Sequence, residues 1–162
     1  MRRASGYTLM ELLLAIAVLL AILLVVIPIR FQITRRANEA AAIKSVEDIV
    51  QAEREYRAAY PALGYSCSLA ALGGDPRIGQ PTSAAAQLLP RELISGVKAG
   101  YISAIKDCTT ERTKDIVHVT GYRITIVPEI VGKTGRRGFC SDQTGAIKVD
   151  PTGGTNCTQE FK

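Results

Sequence analysis

The chain has 162 residues, 47 % of them hydrophobic and 22 % charged, with a formal net charge of +5. Once an apolar N-terminal stretch is set aside, the remainder suits one domain of about 100 to 150 residues and leaves no room for a second. Part of the basicity sits in a segment that reads as a targeting signal: without Arg2 and Arg3 the formal charge falls by two, to +3.

A basic leader and the run Gly6-Tyr7-Thr8-Leu9-Met10-Glu11 come first, and no charge then occurs from Leu12 to Ile29. About 20 helical residues, at ~1.5 Å each, cross a hydrocarbon layer of ~30 Å, so this segment reads as a membrane-spanning helix. Glu11 stands just inside its start. Insertion scales charge about 2.5 to 3.5 kcal/mol for Asp, Lys or Arg at a helix centre, so an intramembrane acid asks for a partner. Cleavage between Gly6 and Tyr7 would create an α-amine four residues before Glu11, on the same helical face and opposite in charge. The plainer reading is an export signal or membrane anchor. Ala15-Ile16-Ala17 matches a small-x-small cleavage pattern, but it lies inside the apolar run, whereas signal peptidase cuts after it. Arg2 and Arg3 favour a cytoplasmic N-terminus while Arg30, Arg35 and Arg36 flank the other end, so charge leaves the orientation open.

The glycine, the hydrophobic residues and the glutamate around this apolar run resemble the prepilin signal of type IV pilins and of the pseudopilins of type II secretion. The resemblance implies that a dedicated prepilin peptidase cuts after Gly6 and methylates the amine of Tyr7. It also implies that Glu11, the fifth mature residue, pairs with a neighbouring subunit during filament assembly. Pro28 falls where many members carry a helix-loosening proline. The first mature residue departs from the pattern, being Tyr7 where phenylalanine is usual; both are aromatic.

Beyond Pro28 the pattern turns amphipathic, with Ala42, Val46, Ile49, Tyr56 and Tyr60 at three- and four-residue steps. Ile43 and Val50 widen this stripe and Glu53 interrupts it. Charged residues cover other faces, and Glu53 to Arg57 has the four-residue spacing of a helical ion pair. The residue before a proline avoids helical geometry, so the helix ends at Tyr60-Pro61. An unbroken helix from Tyr7 to Tyr60 would span roughly 80 Å, with a kink or melted stretch expected at Pro28.

From Pro61 to Gly96 the chain is rich in Pro, Gly, Ala and Ser, and Gly73-Gly74-Asp75-Pro76 is the clearest turn. A short helix is predicted at Ser83 to Leu89, capped by Ser83 and stopped by Pro90, with one further turn at Arg91 to Ile94. Strand patterns begin near Val97 and recur at Tyr101 to Ile105, Ile116 to Val127, Gly138 to Cys140 and Ala146 to Val149, an antiparallel sheet. Val117 and Val119 occupy odd positions and Tyr122, Ile124 and Ile126 even ones, which predicts a bulge or break at Gly121. Lys98-Ala99-Gly100-Tyr101, Thr134-Gly135-Arg136-Arg137-Gly138-Phe139-Cys140 and Asp142 through Ile147 resemble the head domain of a subset of bacterial pilins, in which a sheet packs on the second half of the long helix.

Cys67, Cys108, Cys140 and Cys157 all follow the apolar segment, an even number in loop-rich sequence, as suits disulfides in an exported domain. Three connectivities are possible. Cys67 with Cys108 and Cys140 with Cys157 is favoured, because the first would tie the post-helix loop to the sheet and the second would clip the tail to the last hairpin. A zinc site is disfavoured by wide spacings, the lack of a Cys-x-x-Cys pair and a lone histidine, His118. Gly132-Lys133-Thr134 imitates the end of a phosphate loop, but Val127 holds the position of the required earlier glycine and a strand follows where a helix is needed. Asn156-Cys157-Thr158 matches a glycosylation acceptor, though the expected disulfide argues against its use. Lys133, Arg136, Arg137 and Lys148 read as a solvated rim rather than a nucleic-acid surface, because no aromatic platform interleaves them.

The expectation is an α+β, pilin-like chain: leader 1–6, polymerisation helix 7–30 and head 31–162, the head comprising helix to about 60, loop 61–96 and sheet 97–162. No catalytic residue, metal or cofactor is expected. The resemblance implies a structural subunit of a type IV pilus serving adhesion, twitching motility or DNA uptake. Its partners would be the membrane before assembly, the prepilin peptidase, the inner-membrane assembly platform and identical subunits. The precursor would sit in the inner membrane with its head in the periplasm, then move to the extracellular fibre. A type II secretion pseudopilin or minor pilin is the alternative within the class, and a monomeric, membrane-anchored periplasmic binding module the alternative outside it.

Overall fold

The computed structural model describes residues 8–113 and 116–161. Gly6 and Tyr7, the two residues of the expected processing site, lie outside them. The chain divides into two units, 1–34 and 35–162. One helix, α1 (Leu9–Ala59), contributes to both, and its helical assignment is unbroken across Pro28, so the melted stretch expected there is absent.

In the first unit, Thr8 starts α1 by accepting the Glu11 amide on its hydroxyl at 3.3 Å and on its carbonyl at 3.1 Å. This is the N-cap role of Thr, and Thr-x-x-Glu is the spacing of a capping box. Every residue from Thr8 to Thr34 is exposed.

The second unit has α1 from Arg35 onward as one layer and a six-stranded antiparallel sheet as the other. The strands follow one another in chain order: β1 (Val97–Lys98), β2 (Tyr101–Thr113), β3 (Ile116–Pro128), β4 (Gly138–Asp142), β5 (Lys148–Asp150) and β6 (Gln159–Glu160). The helix buries Ala42, Val46, Ile49 and Tyr56 as predicted, and Ser45, Val50, Ala52 and Glu53 beside them. The sheet answers with Tyr101, Tyr122, Ile124, Ile126, Phe139 and Val149, and these side chains form one core with the helical stripe. Two layers, each apolar on a single face, have no other way to hide both faces from water. At ~25 cal/mol per Å2, this contact stabilises the head in proportion to the apolar surface it removes from water.

The register of β2 on β3 slips on both sides of Gly121. Lys106 faces Arg123, Thr109 faces Gly121 and Thr110 faces Val119, so β2 carries an extra residue just before Thr109, the partner of Gly121, and β3 carries one, Thr120, just before Gly121. The predicted irregularity at Gly121 is therefore present, although β3 itself continues through it. Its extra residues re-aim side chains, as bulges do: Asp107 has a φ of 50°, and Cys108 beside it reaches Cys67.

Between helix and sheet, one predicted feature needs correction. Ser83 to Leu89 is not helical. Its backbone is used elsewhere: the amides of Ala86, Gln87 and Leu88 donate to the carbonyls of Ala71, Gly73 and Leu72, and the Ser83 carbonyl accepts from the Tyr56 hydroxyl at 2.9 Å. Those tertiary bonds hold the segment open, whereas a helix would consume the same groups internally. The turn of helix in this region is α2 (Leu69–Leu72), capped by Ser68, whose hydroxyl accepts from the Ala71 amide. The further turn at Arg91–Ile94 is present as α3. β6, two residues long, had no counterpart in the strand pattern.

Candidate functional site

In the first unit the described residues present one apolar surface. Its 18-residue apolar window has a mean hydropathy of 3.4 and is entirely unburied, long and apolar enough to cross a membrane. Glu11 occupies the first turn. A carboxylate there interacts favourably with the partial positive charge of the helix N-terminus, a local role that sequence spacing had not singled out.

In the second unit, Glu39 binds the segment that enters β4. The Arg136 amide donates to one carboxylate oxygen at 3.0 Å, and Arg137 donates to the other through Nε at 3.0 Å and a terminal nitrogen at 2.7 Å. Burial opposes ionisation, but the two amides and the guanidinium outweigh it and hold the Glu39 carboxyl below its ordinary range. The Arg137 guanidinium also lies over the rings of Phe139 and Phe161, at 5.6 and 5.8 Å from their centroids. Arg137 is thus a joint between helix, sheet and C-terminal tail. Of the four cations read as a basic rim, it is committed internally, and Lys148 borders a different feature, a cleft of about 370 Å3 that also involves Asp107, Arg123, Asp142 and the Cys140–Cys157 disulfide.

Glu53 corrects a second expectation. It does not pair with Arg57; it is fully buried, and its two oxygens accept from the Ser66 amide and the Ser66 hydroxyl, both at 2.8 Å. Arg57 turns outward, donating to the Tyr65 hydroxyl at 2.9 Å with its guanidinium over the Tyr65 ring. Burial pushes the Glu53 carboxyl above its ordinary range, and the donors from Ser66 and Cys67 offset only part of that.

Both disulfides have the favoured pairing, Cys67–Cys108 and Cys140–Cys157, and no free cysteine occurs among the described residues. Among those residues no cluster of His, Cys, Asp and Glu has the arrangement of a metal site. The carboxylates of the C-terminal loops are taken by their own backbone: Asp142 accepts from the amide and hydroxyl of Thr144, and Asp150 from those of Thr152 and from the Asn156 amide. These bonds hold both acids below the ordinary carboxylate range, against burial in the case of Asp142. His118 Nδ1 lies 3.3 Å from the Ala62 carbonyl, on the bulged half of β3. Gly132-Lys133-Thr134 forms a tight loop before β4, closed by the Thr134 hydroxyl against Ile130.

Comparison with protein-family models, with curated protein sequences and with solved structures returns no match for this chain.

Proposed function

We propose that the chain is a structural subunit of a pilin-type filament, processed after Gly6 and polymerised through its N-terminal helix. The observation that carries this reading is the helix surface from Thr8 to Thr34: wholly exposed, charge-free from Leu12 to Ile29, with one carboxylate at its head. Such a surface leaves water only by entering lipid or by packing against its own kind, and subunit helices replace lipid at little cost because both environments are apolar. An acid in that setting selects register, since a misaligned neighbour leaves a carboxylate unpaired in an apolar core. The disulfide-linked head suits an oxidising compartment, the periplasm before assembly and the cell exterior afterwards.

Electron microscopy of sheared surface material, with mass spectrometry of the N-terminus, tests the proposal. The expected result is filaments whose subunit begins at Tyr7. Replacing Glu11 with Leu is expected to preserve membrane insertion and cleavage and to remove most filaments; undiminished filament yield overturns the register role. An uncleaved monomer that stays in the membrane selects the anchored binding module instead.

A further inference from the structure

We propose that the loop between β3 and β4 is a membrane-contact element, which seats the head on anionic headgroups while the subunit waits in the bilayer. The inference rests on the reading of α1 as membrane-inserted. Four observations about the second unit carry it.

Apolar side chains at the loop tip face solvent: Ile130 is 49 % exposed and Val131 57 %, with no core residue demanding them there. The tip is also rigidly made. The amides of Lys133 and Thr134 donate to the Ile130 carbonyl, Gly132 donates to the Gly135 carbonyl at 2.7 Å, and the Thr134 hydroxyl closes on Ile130. A preformed turn presents its apolar tip without an ordering cost.

Chain distance supplies the location. Arg35 donates to the Gly132 carbonyl at 3.1 Å and Asn38 to the Thr134 carbonyl at 2.9 Å, so the loop is fastened to the first residues of the head. Six helical steps separate Ile29 from Arg35, about 9 Å, and the headgroup layer on each side of the hydrocarbon is ~5 to 8 Å deep. Bonded to Arg35 and Asn38, the loop is held within chain reach of the end of the apolar segment, and so of the headgroup layer.

Charge selects the occupant. Arg36, Lys133 and Arg136 are exposed, beside Arg35, against one exposed acid, Glu129. Cations flanking a small apolar tip match the boundary between phosphates and acyl chains, where apolar residues dip in and basic residues stay at the headgroups. Each Lys or Arg near an anionic surface strengthens contact by roughly fivefold. The same cations gathered on a bare helix would not explain the exposed Ile130 and Val131.

The experiment uses the full chain in lipid nanodiscs. With no free thiol among the described residues, Val131→Cys and, as a control in a loop remote in sequence, Ile78→Cys accept an environment-sensitive label. In nanodiscs rich in phosphatidylglycerol, the label at 131 is expected to be quenched by brominated lipid and shielded from aqueous iodide, while the label at 78 behaves oppositely. Pure phosphatidylcholine, or Lys133→Gln with Arg136→Gln, is expected to reverse the shielding at 131 by about fivefold per charge removed. Equal iodide access at 131 and 78 in a protein that co-floats with the bilayer overturns the loop contact. Failure to enter the bilayer at all overturns instead the membrane reading on which it rests.

Discussion

The carboxylate of Glu53 and the backbone of Ser66 are joined across the head by a bond of 2.8 Å, doubled by the Ser66 hydroxyl at the same distance. This pair fixes where the chain goes after α1 ends, one residue before Cys67 enters its disulfide. Glu53→Ala leaves the donors of Ser66 and Cys67 without acceptors and opens a void in the helical stripe. An unsatisfied buried donor costs about 1 to 3 kcal/mol, so the variant is expected to lose about 3 kcal/mol in urea unfolding of the full chain in detergent. Arg57→Ala, which removes only an outward contact with Tyr65, is expected to lose under about 1 kcal/mol.

The same carboxyl sets one direction of pH dependence. Its folded pKa is raised, so the folded chain holds the Glu53 proton more tightly than the unfolded chain does. The resulting penalty is absent below the unfolded value, grows through the interval up to the folded one and is complete above it. Glu39, Asp142 and Asp150 run the other way: their lowered values contribute stability above the unfolded carboxylate range, lost as pH falls through the folded values. Denaturation midpoints measured from neutral pH into acid are therefore expected to fall, and to fall more steeply in Glu53→Ala, which lacks the opposing contribution.

Arg137 and Glu39 can be separated from their neighbours by a double-mutant cycle. The guanidinium is 41 % exposed, which screens the pair, and a coupling of about 1 kcal/mol is expected for Arg137→Ala with Glu39→Ala. Glu39→Ala alone is expected to cost more than the coupling, because the amides of Arg136 and Arg137 lose their acceptor as well. Arg137→Lys is expected to recover part of the charge interaction but little of the stacking on Phe139 and Phe161.

Two glycines separate close approach from mere looseness. A Cβ on Gly135 would lie 1.9 Å from the Tyr101 hydroxyl oxygen, and Tyr101 is fully buried and cannot swing away. Gly135→Ala is expected to destabilise by about 3 kcal/mol, the upper end for overpacking. A Cβ on Gly79 would meet nothing within 4 Å. Gly79→Ala is expected to be neutral or to stabilise by up to about 1 kcal/mol, and thermal melts of the two variants check both.

The disulfides are expected to differ in what their loss releases. Cys67–Cys108 closes a 41-residue separation and Cys140–Cys157 one of 17, worth about 4 and 3 kcal/mol by loop entropy. Serine replacement of the second pair is expected to free the tail, raising amide exchange from Gln159 to Phe161 with little effect in α1. Exchange that rises equally across the head would contradict this division.

Periodicity and cysteine parity made much of this chain readable in advance. An apolar run without charge, a three- and four-residue stripe and alternating strand residues each report the local environment of one element, so α1, the main strands and the irregularity at Gly121 were legible; parity gave two disulfides, and the structure chose the favoured one of three pairings. Ser83–Leu89 was misread because a capping serine and a terminal proline describe a helix only when the intervening amides have no better acceptor, and α2 with its C-cap Gly73 offers three. β6 is two residues long, too short for any period, and exists because Cys157 brings the tail beside β5.

Long-range pairing also decided the roles of the charges. Spacing assigned Glu53 to Arg57, the opposite charge one helical turn on, but the partner it takes is thirteen residues away and neutral. The partners of Glu39 are nearly a hundred residues distant. One-dimensional order encodes which faces must be dry, since that depends on a residue and its immediate neighbours. Which donor reaches a given buried oxygen depends on how the layers meet, and only folding brings those groups within hydrogen-bonding range.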